Sequence, residues 1–166
     1  MIIFTDYIQL TMVNYRYLIF FFLSSFLVIS QNQFEIAPPD FIKTIVFKSN
    51  TNEGQLPIFK LNEKLSLEFD ALNADESDFF YEIVHCDFDW SPSRLMKSEY
   101  MQGFDYQRIV NYENSFNTYQ IYSHYKLEIP NQQTQLRVSG NYLMKIYDDY
   151  GELMFTRKFM IYEELS

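Results

Sequence analysis

The sequence predicts an all-β fold, a single immunoglobulin-like β-sandwich of about seven strands with one long loop that contains a short helix. Two features point there. From Ile36 onward apolar residues recur mostly with a period of two, and no long stretch sustains the 3.6-residue period of a helix. The chain also has only four glycines, Gly54, Gly103, Gly140 and Gly151, each where a turn or loop is expected, so no glycine-rich phosphate cradle is present.

The first thirty residues have a different composition. After Arg16 comes an uncharged run from Tyr17 to Ile29, closed by Ser30. Thirteen residues are short for a hydrocarbon layer of about 30 Å but suit a signal-peptide core. Residues 1–30 therefore read as a signal peptide, with cleavage near Gln31 and with Met12 as a second possible start. The competing reading is an uncleaved anchor. The polar Gln31-Asn32-Gln33 flank, without stop-transfer charge, favours removal. Residues 31–166 are then the β-sandwich domain, exported, with no direct membrane insertion after cleavage.

Strands follow in order. Ile42 to Phe47 is the first. Leu65, Leu67 and Phe69 alternate with Ser66, Glu68 and Asp70, as in a half-buried strand. Asp78 to Phe88 has apolar residues on both faces at its start, as a central strand would. Thr118 to Ile129 reads as one amphipathic strand, with Tyr119, Ile121, Tyr125, Leu127 and Ile129 inward and Gln120, His124, Lys126 and Glu128 outward. Tyr142–Tyr147 and Leu153–Tyr162 flank Asp148-Asp149-Tyr150-Gly151-Glu152, a connection suited to a hairpin.

Between Asp87 and Asn117 the strand rhythm stops. Ser91-Pro92-Ser93 reads as a helix start and Gly103 as its end. This loop carries Trp90, Met96, Tyr100, Met101, Phe104, Tyr106, Tyr112 and Phe116, side chains of the types that protein interfaces favour, and Trp90, Arg94, Tyr100, Phe104 and Tyr106 are the candidate partner-binding residues. The alternative is that the loop folds back and its bulky residues cap the core.

Charge narrows the partners. Without residues 1–30 the formal charge remains −9, which repels nucleic acid and anionic lipid surfaces. The lone thiol, Cys86, excludes an internal disulfide. His85, Asp87 and Asp89 alternate along a strand and were they to converge would suit a divalent metal; the plainer reading is a polar strand end whose carboxylates hold the loop. Cys86 with His124 has no recognisable catalytic surroundings, and no G-x-S-x-G elbow occurs. Acidic pairs such as Asp75 with Asp78, or Asp148 with Asp149, read as turns. No metal, cofactor or catalytic residue is expected.

The segment from His85 to Leu95, with Ser98-Glu99-Tyr100-Met101-Gln102-Gly103-Phe104, is distinctive. So are Ser115-Phe116-Asn117-Thr118, Tyr122-Ser123-His124-Tyr125, Ser139-Gly140-Asn141-Tyr142-Leu143 and Thr156-Arg157-Lys158-Phe159-Met160. Together they resemble the N-terminal domain of the type IX secretion system plug proteins, over roughly residues 36–163. The resemblance implies a non-catalytic, periplasmic subunit, associated with the outer membrane, that plugs or gates the translocon β-barrel. Plug proteins are longer than this chain, which stops at Glu163-Glu164-Leu165-Ser166. The alternative function is a carbohydrate-binding β-sandwich module, which the aromatic content, 19 % of the chain, permits.

Overall fold

A computed structural model of the chain describes residues 35–49, 56–73 and 77–164. The expected signal segment 1–30 lies outside the described residues, as does Asp75. Eleven strands and one helical turn are present among them. In order they are β1 (Ile42–Ser49), β2 (Ile58–Lys60), β3 (Leu65–Ala71), β4 (Phe80–Cys86), α1 (Lys97–Tyr100), β5 (Met101–Gln102), β6 (Gln107–Arg108), β7 (Tyr112–Asn114), β8 (Ser123–Ile129), β9 (Gln135–Leu136), β10 (Gly140–Tyr147) and β11 (Leu153–Tyr162).

Two sheets carry the architecture. One has the order β1-β3-β8-β7, the other β2-β11-β10-β4-β6, and β5 pairs with β9 beside them. Every pairing is antiparallel except β2 with β11. The fold is thus the expected all-β sandwich. Its strand count is higher than seven because several segments of two or three residues pair along the loops.

The sheets meet through aromatic rings. Phe69 of β3 stacks on Tyr125 at 5.2 Å and meets Phe155 of β11 edge-on at 5.3 Å, and Phe47 of β1 packs on Phe159. Each such side chain contributes roughly 1.5–3 kcal/mol by leaving water. Tyr125 is buried with its hydroxyl donating to the Ser77 carbonyl at 2.7 Å, which meets the requirement that a buried phenol find a partner.

Three strand-level expectations need correction. β3 is buried on both faces, not half-buried: it lies between β1 and β8, and Ser66 and Glu68 are covered as well. The Glu68 carboxylate survives there because it takes the Lys48 ammonium and the Ser66 hydroxyl, with His124 beside it. β8 begins only at Ser123, so Tyr119 and Ile121 are exposed, not inward. The alternation before Ser123 belongs to a hairpin connection, where Asn117 takes a left-handed φ of 56°.

The helix also starts later than expected. Ser93 donates its amide to the His85 carbonyl and Pro92 forms a bridge with Cys86, so residues 92–93 lie along the end of β4. α1 is a single turn whose Met96 amide is capped by the Glu99 carboxylate at 2.6 Å. Gly103 does not cap it. It passes the Gln133 carbonyl at φ +130°, where an added Cβ would stand 2.1 Å from that oxygen.

The outer edge of β11 is occupied by more than β2. The Thr156 amide donates to the Ile36 carbonyl, the Lys158 amide to the Glu35 carboxylate at 2.7 Å, and the Met160 amide to Pro57.

Candidate partner-binding surface

The loop after β4 begins with a tight turn that the sequence encodes locally. Asp89 accepts hydrogen bonds from the Ser91 hydroxyl at 2.6 Å and the Ser91 amide at 3.0 Å, which hold its carboxyl below the ordinary range. This is the loop-holding role anticipated for a carboxylate at this strand end. His85 does not join it. Its ring points into the core, with Nδ1 hydrogen-bonded to Ser93 Oγ at 2.8 Å and its edge against Tyr142. Among the described residues no three His, Cys, Asp or Glu side chains come together as a metal cage.

The turn sets Trp90 at a left-handed φ of 66° and lays it, half-buried, under the Lys158 ammonium, 4.6 Å from the ring centre. Lys158 lies level with Leu143 of β10, so the pair sits on the outward face of that sheet. On that face Leu143 and Cys86 are buried although they lie outside the main core. Burial pushes the Cys86 thiol up, so it stays protonated. His124 faces outward from the other sheet, bonded to Asp70 at 2.7 Å, so the two are on opposite sides of the sandwich.

The remaining candidates divide. Tyr100 is only 6 % exposed, packed against Tyr142 and His85 with its hydroxyl donating to the Ile83 carbonyl, so it is a core residue and not a surface anchor. Arg94 is exposed. Phe104 is 80 % exposed, and Tyr106 presents one face to solvent while the other stacks on Tyr147 at 4.8 Å. The loop therefore does both things expected of it: Tyr100, Met101 and Ile109 cap the core, and Phe104, Tyr106 and Arg94 stay outside.

The sequence places Phe116 among the interface-type side chains of the long loop, but it reads residues 118–122 as strand and so misses that they form a projecting β7–β8 connection. Phe116 is 94 % exposed and Tyr119 fully so, yet the backbone between them is firmly tied. Ser115 donates its amide to the Tyr122 carbonyl at 2.8 Å, its hydroxyl accepts from the Tyr122 amide and lies 3.2 Å from the Thr118 hydroxyl, and Thr118 donates to the Gln120 carbonyl at 2.7 Å. The Ser, Asn and Thr among these residues were the available signal.

A groove of about 530 Å³ runs between β8 and residues 108–111. Two of its lysines share one carboxylate, Lys126 with Glu128 at 3.0 Å and Lys64 with Glu128 at 3.7 Å, and Arg108 pairs with Asp78. The one aromatic residue lining it, Tyr81, is buried and bonded to Thr134, so it offers no open ring for a sugar to stack on.

Residues 42–163 match the profile of the family described as "Type 9 secretion system plug protein 1st domain". The chain belongs to that family. Its fold is similar to the crystal structure of a hypothetical protein from Parabacteroides merdae, with 33 % identity and a TM-score of 0.71 over 77 % of this chain. The plug-domain chain spans only 33 % of that longer protein. A second solved structure, the alkylpurine DNA glycosylase AlkC of Pseudomonas fluorescens bound to DNA, has a TM-score of 0.37 and 10 % identity over 72 % of this chain and 29 % of its own, too little to carry an argument. No curated protein matches the chain. Family membership ties the plug domain to type IX secretion, and none of its described helices is long and apolar enough to cross a membrane.

Proposed function

We propose that this chain is a non-catalytic periplasmic subunit, associated with the outer membrane, that plugs or gates the translocon β-barrel of the type IX secretion system. The observation that carries the reading is the family match across residues 42–163. The physical surface supports it. Exposed aromatic side chains are set on a two-sheet sandwich, as protein recognition favours. A rigid domain of this kind occludes an opening by fitting it, and needs no bond-making chemistry.

The test is an affinity pull-down with the tagged chain from detergent-solubilised envelope of a type IX-secreting bacterium, read by mass spectrometry. Recovery of the translocon barrel, in proportion to bait, is the expected result. A pull-down that leaves the barrel behind, while a soluble oligosaccharide binds in a titration, overturns the plug reading in favour of the sugar-binding module.

A further inference from the structure

One end of the sandwich differs from the rest. Register places Ile42, Ala71 and Ser123 level with one another in one sheet, and Phe80 level with Tyr147 in the other. Phe69, which packs on both Phe79 and Phe155, joins the sheets near that level. Residues 115–122 and the turn at 148–152 therefore emerge from the same end. Gln120 Nε2 donates to the Leu72 carbonyl at 3.1 Å, which fastens the first of these to the β3–β4 connection.

From this end project Phe116, Tyr119, Ile121 and Tyr150, all exposed. Residues 114–123 contain no charged side chain, in a protein of net charge −9. Around them the end is acidic: Asp40, Asp78, Asp148, Asp149 and Glu152, against Arg108, which is paired with Asp78, and Lys43, 3.9 Å from Asp40. The Ser115, Thr118 and Tyr122 bonds keep the tip in shape before any partner arrives, which lowers the ordering cost of binding.

We infer that this end, centred on Phe116 and Tyr119, is the docking surface for a protein partner that offers an uncharged apolar socket bordered by lysine and arginine. The chemistry selects that partner. Uncharged aromatic and aliphatic side chains ringed by charge are the anatomy of an interface core with its rim. Elements that lie in bilayer interfaces carry Lys and Arg toward anionic headgroups, whereas this rim is acidic and is repelled by them. The inference rests on the plug reading in taking the translocon as the socket's bearer.

The experiment titrates the full chain against detergent-purified translocon barrel at low and high salt. Three variants accompany the wild type: Phe116→Ala with Tyr119→Ala, Tyr119→Asp alone, and Leu56→Ala, an exposed residue beside the opposite end of β11. Both tip changes should leave the thermal midpoint in place and weaken binding about 30-fold or more. Leu56→Ala should bind as wild type does, and salt should weaken the wild-type complex. Wild-type affinity in both tip variants overturns the docking surface and leaves the plug reading standing. Failure of every form, wild type included, sinks the plug reading and the docking surface with it. Sedimentation with phosphatidylethanolamine–phosphatidylglycerol vesicles that the tip variants lose would make the end a lipid contact, and also overturns the inference.

Discussion

Replacing Gly140 by alanine should cost far more than the same change at Gly151, a turn glycine with open space around it. Gly140 opens β10 at φ +148°, where L side chains are strained, and a Cβ there would lie 2.3 Å from His85 Nε2. The ring cannot retreat freely, because Nδ1 is bonded to Ser93 at 2.8 Å and the ring edge packs on Tyr142 at 5.0 Å. The strained backbone costs of order 1–3 kcal/mol. Loss of the Ser93 bond adds about 0.5–1.5 kcal/mol, and disturbing the aromatic contact a similar amount. Gly140→Ala should therefore destabilise by about 2–6 kcal/mol. Gly151 supplies the control: it has φ +80° and nothing within 4 Å, so Gly151→Ala should cost only about 1–2 kcal/mol. Equilibrium denaturant unfolding followed by circular dichroism measures both. His85→Ala in the Gly140→Ala background should recover about 1–2 kcal/mol as a coupling energy. If Gly140→Ala is no worse than Gly151→Ala, or the coupling is absent, the collision is not what makes Gly140 necessary.

Other outcomes follow from the same geometry. Burial pushes the Glu68 carboxyl up, but the hydrogen bond and charge of Lys48 outweigh it and hold the group below its ordinary value. A lowered folded value means stability that is present above about pH 4.5 and lost as pH falls through the folded value. Lys48→Met should cost about 1–2 kcal/mol near neutral pH and move acid unfolding upward, and an unchanged acid midpoint would contradict the pairing. Tyr100→Ala should destabilise by about 3 kcal/mol or more, whereas Phe104→Ala should stay within about 0.5 kcal/mol, and thermal melts that rank them the other way would reverse the assignment of core and surface. Cys86 should resist a thiol reagent such as Ellman's in native buffer and react once guanidinium unfolds the chain; rapid labelling of the folded protein would contradict its burial under the Trp90 side of the sheet.

Much of the sandwich was legible in the residues because inward and outward positions alternate wherever one sheet face meets water. The β10–β11 hairpin was legible twice over, from its alternation and from the Asp148-to-Glu152 turn, whose Asp148 side chain accepts the Tyr150 and Glu152 amides. Alternation misled where its cause was different. In β3 the polar positions look wet, yet Lys48 and His124 from neighbouring strands close over Glu68, a non-local pairing that no local pattern encodes. At Tyr119 and Ile121 a hairpin tip imitates a strand for a few residues. In the long loop, residue type alone could not separate Tyr100, which fills the space beside Tyr142, from Phe104 a few positions on, which fills none. That difference is set by where the chain turns at Gly103 beneath the Gln133 carbonyl.

The contact of Glu35 and Ile36 with β11 has a bearing on solubility. A sheet whose last strand displays a row of free amides invites a second molecule to continue it, and such lateral growth is a common start of aggregation. Here the outward amides at 156, 158 and 160 meet a carbonyl, a carboxylate and the residue before β2, contributed by short stretches of the same chain. A foreign strand approaching β11 from that side finds these three hydrogen-bonding places already taken.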